Sequence, residues 1–254
     1  MPVRRSPFRP ALLALGLGLL AGCEQAGSAA GSVAGTAAAG AVAGSVGGPA
    51  GQAAGAGASI AVAQLTRMST AAAQGAWDAV AQEPVAACTG AADKPCAEAQ
   101  ALRARACRRQ AAAATRDQRA GYLNCAVTAG QAALAAGGAN TQAERNTWRE
   151  ELLAALYDRR SGTPRASICP DNDLMRSEAD TLLRDSPGNA SARFHGASAR
   201  MMGVSVSCGA EDQRCTDLGQ AARLLNPPQS DTRWTQTAEG VRSLQRVVVG
   251  CPET

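Results

Sequence analysis

The residues of this chain best suited to chemistry are its nine cysteines. Thiolates bind metals when ligands lie close in sequence, roughly two to four residues apart, or when histidines are nearby. The closest pairs, Cys208/Cys215 and Cys88/Cys96, have six and seven intervening residues, and the chain has one histidine. The sequence also lacks the Cys-x-x-Cys pair that is typical of redox-active thiols. We therefore expect disulfide bonds, which are typical of exported proteins, and no metal.

Other side chains that could take part in catalysis do not form a known constellation. The single histidine, His195, is predicted in the middle of a helix, and the sequence has no Gly-x-Ser-x-Gly elbow to accompany it. The Gly-rich residues 27–57 lack the Gly-Lys-Ser/Thr ending of a phosphate-binding loop. Two pairs of acids are expected to be solvated or to cap helices: Glu150-Glu151 and Asp171/Asp173. We therefore predict no catalytic residue, no cofactor and no enzymatic activity.

The N-terminus indicates export. Residues 1–10 contain three arginines, and residues 11–21 form an apolar run of eleven residues that is too short to span a bilayer. The motif Leu20-Ala21-Gly22-Cys23 follows and resembles the lipobox of bacterial lipoproteins. The resemblance implies that residues 1–22 are a signal peptide that is removed, and that Cys23 carries the lipid, including palmitate.

The same resemblance implies a location and a disulfide count. An Asp after the lipidated cysteine often marks inner-membrane retention in this family, whereas this chain has Glu24. The expected location is therefore the outer membrane, with the protein facing the periplasm. Setting Cys23 aside leaves an even number of cysteines, as four disulfides require. These are Cys88, Cys96, Cys107, Cys125, Cys169, Cys208, Cys215 and Cys251.

The charge of the chain argues against nucleic-acid binding. The formal net charge is +4, but residues 1–22 contribute three arginines and no acid, so the remainder has 22 basic and 21 acidic residues. Nucleic-acid binding normally needs a strongly basic surface. One short basic cluster is interpreted as the solvated face of a helix: Arg103, Arg105, Arg108 and Arg109.

The segment after the lipobox is almost free of large side chains. Residues 25–66 contain no charge, and Ala and Gly fill 26 of these 42 positions. Glycines recur with a four-residue step that resembles the glycine zippers of some envelope lipoproteins and would allow close helix approach in lipid. The alternative is a flexible tether. Because Ala and Gly contribute little transfer energy, we favour the tether over a membrane hairpin and assign it to residues 23–58.

Residues 59–254 are predicted to form an all-α domain. Strand-forming residues are few, and capping residues and prolines recur at helix-like intervals. Short connections favour antiparallel helix hairpins. Eight helices are predicted, beginning at Ser59, Asp93, Asp117, Thr141, Asp171 or Asp173, Asn189 or Ser191, Asp212 and Asp231.

Two helix ends within residues 166–250 resemble each other. Residues 179–187 and 218–227 both pass from small residues through leucines to a proline, and Pro187 and Pro227 are 40 residues apart. This is similar to the end of the second helix in tetratricopeptide repeats, although the first-helix Trp, Gly and Tyr of that family are not matched. The resemblance implies a divergent helical-repeat array, and an irregular helical bundle is the alternative.

Helix geometry suggests the disulfide pairing. Cys107 and Cys125 are equally far from the turn near residue 116, which places them level on an antiparallel pair, and Cys88 and Cys96 flank one loop. The four remaining cysteines form two bridges in one of two ways. We favour Cys169–Cys208 with Cys215–Cys251 over Cys208–Cys215 with Cys169–Cys251.

Two functions follow from these features. The first is a membrane-anchored periplasmic lipoprotein whose helical domain binds or scaffolds another envelope protein, because stacked helix hairpins provide a groove for peptides or partner helices. The second is a membrane-active or structural envelope lipoprotein that acts through the glycine-zipper-like residues 27–57. The partners expected are the membrane, through the lipid, and an envelope protein, without nucleic acid.

Overall fold

A computed structural model describes residues 49–164, 167–248 and 251, and of residues 49–60 it describes the backbone alone. The predicted signal peptide, Cys23 and the predicted tether up to residue 48 lie outside the described residues. The described part contains no strand, so the predicted all-α class is confirmed. Its α-helices are α1 Pro49–Ala73, α2 Trp77–Gln82, α3 Lys94–Ala113, α4 Arg116–Ala136, α5 Gln142–Arg160, α6 Ile168–Asp185, α7 Ala190–Val206, α8 Arg214–Leu224 and α9 Thr232–Val247.

The first helix differs from the prediction of one helix from Ser59 to Glu83. Helix α1 already begins at Pro49. Proline is favoured at the first position of a helix, and alanines support the following turns although glycines are interspersed among them. Helix α1 ends at Ala73, where Gly75 adopts a φ of +78° that residues with a Cβ disfavour. The chain resumes as the short α2. Residues 49–58, assigned above to the tether, are therefore helical.

Local capping residues fix several helix starts where they were predicted. The Asp93 carboxylate accepts a hydrogen bond from the Cys96 backbone N–H at the start of α3. Thr141 and Glu144 form the predicted capping box of α5, and hydrogen bonds from the Thr141 backbone and hydroxyl lower the pKa of Glu144. The Asn189 side chain caps α7. These local bonds satisfy N–H groups that a helix end otherwise leaves unpaired.

Each helix packs against its neighbour in the chain, which gives the predicted antiparallel hairpin array. The odd-numbered helices α3, α5, α7 and α9 also contact one another in sequence. Within the described residues, no contact of similar extent joins α4 to α6 or α6 to α8. These four helices, α3, α5, α7 and α9, therefore form a continuous layer, which we call the inner layer.

Small side chains build the core, and leucines of α5 occupy its centre. Leu152, Leu153 and Leu156 are almost completely buried, among many buried alanines. A second group of buried residues surrounds Trp234 on α7 to α9, and Tyr157 packs against both groups. Two helices approach closely at Gly240, where a Cβ would lie 2.6 Å from the Met201 Sδ. The core therefore depends on close helix spacing more than on large apolar side chains.

Four disulfides join neighbouring elements, with the favoured pairing. The bridges are Cys88–Cys96, Cys107–Cys125, Cys169–Cys208 and Cys215–Cys251. Cys107 and Cys125 face each other across α3 and α4 with their Cα atoms 5.9 Å apart, as the antiparallel register predicted. The last two bridges close the α6–α7 and α8–α9 hairpins. The α3–α4, α6–α7 and α8–α9 hairpins thus each carry a covalent link.

Candidate functional site

His195 is a packing residue of the inner layer. It lies within α7, is 7% exposed, and its ring packs against the rings of Tyr157 and Phe194. Its Nδ1 is 2.8 Å from the Ser191 carbonyl oxygen, which accepts a hydrogen bond from the Nδ1–H tautomer. Burial lowers its pKa to about 4, so the ring is neutral at pH 7.

Of the four acids singled out in the sequence, Asp173 is exposed as expected, whereas the other three bond to another side chain. Glu150 accepts a hydrogen bond from Asn189, and Glu151 forms an ion pair with Arg105 across α3 and α5. Asp171 is buried and accepts two hydrogen bonds from Arg159, so it neither caps α6 nor faces solvent. The expected solvated or capping role is wrong for Asp171, because a partner distant in sequence holds it.

Two buried arginines were not singled out from the sequence. Arg160 is almost completely buried and donates hydrogen bonds to Asn172 and to both oxygens of Ser198, which ties α5 to α6 and α7. Burial lowers its pKa below the ordinary value. Arg200 donates to the Asp180 carboxylate at 2.8 Å. Both arginines hold the hairpins in register, and neither is exposed to a ligand.

Many arginines line a groove between the end of α3, the start of α4 and the end of α5. It consists of two cavities of about 370 and 560 Å³ that share Arg119, Leu123 and Asp158. We call it the arginine groove. Its lining includes two carboxylates, Glu151 and Asp158, and six arginines: Arg105, Arg108, Arg109, Arg116, Arg119 and Arg159.

Ion pairs fix part of the arginine groove. Arg105 contacts Glu151 at 2.7 Å and Arg108 contacts Asp158 at 3.3 Å, so both pairs join α3 to α5. Arg109 lies with its guanidinium 4.3 Å from the centre of the Trp77 ring. Arg116 and Arg119 are exposed, and no ion pair or hydrogen bond joins their side chains to another residue of the described chain. The groove therefore contains both positioned and unpaired guanidinium groups.

The sequence interpretation of this surface was incomplete. The arginines of α3 were interpreted as a solvated face, yet Arg105 and Arg108 are half-buried and paired, and Arg103 donates to the Ala81 carbonyl. The signal that could have found the groove is the spacing of Glu151 and Asp158, which places two acids on one face of α5. The packing of that face against α3 depends on the tertiary structure, so the local sequence does not predict it.

Neither a family of known proteins, nor a curated protein, nor a solved structure matches this chain. Among the described helices, none is long and apolar enough to cross a membrane. In the same residues, His, Cys, Asp and Glu side chains form no group of three that could hold a metal ion. The arginine groove and the inner layer are accordingly the features on which a function can be built.

Proposed function

We propose that this protein is a lipid-anchored lipoprotein of the bacterial cell envelope whose helical domain binds or scaffolds another envelope protein. The observation that carries the proposal is the inner layer of α3, α5, α7 and α9, which together with α4 leaves the arginine groove open to solvent. Hairpin arrays of this kind present extended surfaces that suit peptides and partner helices.

Rigidity supports a binding role for this domain. Four disulfides and the buried arginines hold the hairpins in one arrangement. A surface that is already ordered before binding loses less conformational entropy when a partner docks, which favours affinity. The described residues therefore combine an open, charged groove with a framework that keeps its walls in place.

The anchor comes from the sequence. The lipobox at Leu20-Ala21-Gly22-Cys23 supports lipidation of Cys23, and Glu24 supports placement at the outer membrane, facing the periplasm. In this proposal residues 23–48 connect the lipid to the helical domain, which begins with α1 at Pro49, and the domain makes the contacts with the partner. A second function, in which residues 27–57 act on the membrane directly, is an outcome of the test below.

The test compares three chains expressed in a bacterial host: the native chain, Cys23→Ser, and a chain with residues 27–48, which precede helix α1, replaced by a Gly/Ser linker of equal length. We expect Cys23→Ser to abolish incorporation of labelled palmitate, because the lipobox cysteine is the acylated residue. We expect the linker chain to be lipidated and to form the same cross-linked protein complex in intact cells as the native chain. The reason is that a tether has only to be long enough, so its sequence can be replaced.

A Ser28→Ala chain is the matched control for palmitate labelling, because it alters a neighbouring nucleophile outside the lipobox. Palmitate incorporation that survives Cys23→Ser contradicts the anchor. Loss of the complex in the linker chain, with the domain folded and lipidated, contradicts the binding role of the helical domain and favours a membrane-active segment.

A further inference from the structure

Charge is distributed unevenly in this molecule. After residue 22 the chain has almost equal numbers of basic and acidic residues, yet six arginines line the arginine groove. Arg105, Arg108 and Arg159 pair with carboxylates, whereas Arg109, Arg116 and Arg119 form no ion pair within the described chain. Such local excess charge attracts ligands of opposite sign and steers their approach. The local excess of positive charge therefore indicates an anionic ligand.

Ion pairs position two arginines of the groove and leave some of their N–H donors free for such a ligand. The ion pairs of Arg105 with Glu151 and of Arg108 with Asp158 use only some of the five N–H donors that each guanidinium carries. The side chains of Arg105 and Arg108 are 42% and 43% exposed, so the remaining donors are accessible from the groove. A guanidinium fork matches the planar geometry of a carboxylate.

The shape of the groove favours a flexible chain over a flat surface. Its two cavities adjoin at Arg119 and Leu123, which line both of them. Leu123 is only 4% exposed, so it forms an apolar floor. Ala111 and Ala112 extend that apolar lining beside the arginines. A planar membrane surface reaches protruding side chains but not a recessed floor, whereas an extended peptide contacts both.

From this geometry we propose that the arginine groove binds an acidic, Asp/Glu-rich segment of the partner protein. The inference rests on the proposed function and specifies its chemistry. Carboxylates of the segment pair with Arg116 and Arg119 and with the free donors of Arg105 and Arg108, while its small side chains lie on Leu123. Arg116 and Arg119 contribute most to selectivity, because no carboxylate of the described chain neutralises them.

The test uses the mature lipoprotein purified in a non-ionic detergent and fluorescent peptides of equal length. An Asp-Ala repeat peptide is the probe, and Ser-Ala and Lys-Ala repeats are the comparisons. We expect fluorescence anisotropy to show saturable binding of the Asp-Ala peptide alone, weakened by added salt. Arg116→Ser/Arg119→Ser should lower that affinity about tenfold, because two exposed ion pairs with the peptide are lost together.

The matched control is Arg223→Ser/Arg242→Ser, which removes the same charge from a separate cavity between α8 and α9 and should leave the affinity unchanged. Equal losses in both variants would mean a general charge effect and would overturn the proposal. So would displacement of the peptide by phosphatidylglycerol vesicles but not by unlabelled peptide, which would identify an anionic membrane as the ligand. Failure of every peptide to bind, while the partner complex still forms in cells, contradicts this inference alone and leaves the proposed function standing.

Discussion

At the scale of single residues, the buried polar groups of the inner layer are structural. His195, Arg160 and Arg200 all lie inside the array, where each is hydrogen-bonded to a neighbouring helix or to its own preceding turn. A buried polar group that keeps its partners costs little, whereas a buried charge without partners costs several kcal/mol. Protonation of His195 would create such a charge, and this determines how the fold responds to acid.

We predict that His195 contributes to acid destabilisation. Its folded pKa of about 4 lies below the unfolded value of 6.5, so the unfolded state binds the proton first as the pH falls. The charges that face the ring are Arg108, Arg160 and Arg233, which also disfavour the imidazolium. Between pH 7 and pH 5 the free energy of unfolding should fall by about 2 kcal/mol more in the native chain than in His195→Asn.

Urea unfolding at both pH values measures this difference, on protein purified without a histidine tag. Phe194→Leu serves as the control, because it removes buried volume next to the ring without changing a titrating group. It should lower the stability at both pH values equally. A pH dependence in His195→Asn that equals that of the native chain would show that the ring does not titrate in this window.

At the scale of elements, the disulfides differ in how much chain they restrain. Cys88–Cys96 has a sequence separation of 8, and Cys169–Cys208 has one of 39. A bridge that closes a longer loop removes more conformational entropy from the unfolded chain. The bridge between the start of α6 and the end of α7 should therefore stabilise the fold more than the loop bridge before α3.

We predict that Cys169→Ala/Cys208→Ala lowers the free energy of unfolding by about 4 kcal/mol, against about 2.5 kcal/mol for Cys88→Ala/Cys96→Ala. Each variant keeps the other three bridges, so each serves as the control for the other. Urea unfolding of the oxidised proteins measures both values. A larger loss for Cys88→Ala/Cys96→Ala would contradict the loop-length account of these bridges.

The sequence predicted those elements whose signals are local. The caps at Asp93, Thr141 and Asn189 lie within a few residues of the N–H groups that they satisfy, so their positions could be read directly. The start of α6 could not, because Ser167 precedes the helix without a side-chain cap and Asp171 bonds to Arg159 across a loop. The disulfide pairing could be predicted because the register of two antiparallel helices determines which cysteines face each other.

At the scale of the whole molecule, the arginine groove could not be predicted from the sequence. Its charged residues come from α3, α4 and α5, and they meet only because Glu151 and Asp158 of α5 face Arg105 and Arg108 of α3. An arginine-rich helix is normally solvated along its charged face. The packing of α5 beside α3 converts that face into one wall of a groove.

We propose that the arginine groove is where this protein contacts its partner. Site-specific photo-cross-linking in intact cells tests it most directly, with p-benzoylphenylalanine in place of Ala112 or Ala120, which line the groove and are exposed. The control positions are Thr128 on α4 and Ser177 on α6, which are exposed away from the groove's lining. We predict one protein adduct of the same mass from both groove positions, absent from the controls and lost in the Arg116→Ser/Arg119→Ser background. Adducts that form equally at Thr128 and Ser177, or that persist without Arg116 and Arg119, would contradict the claim.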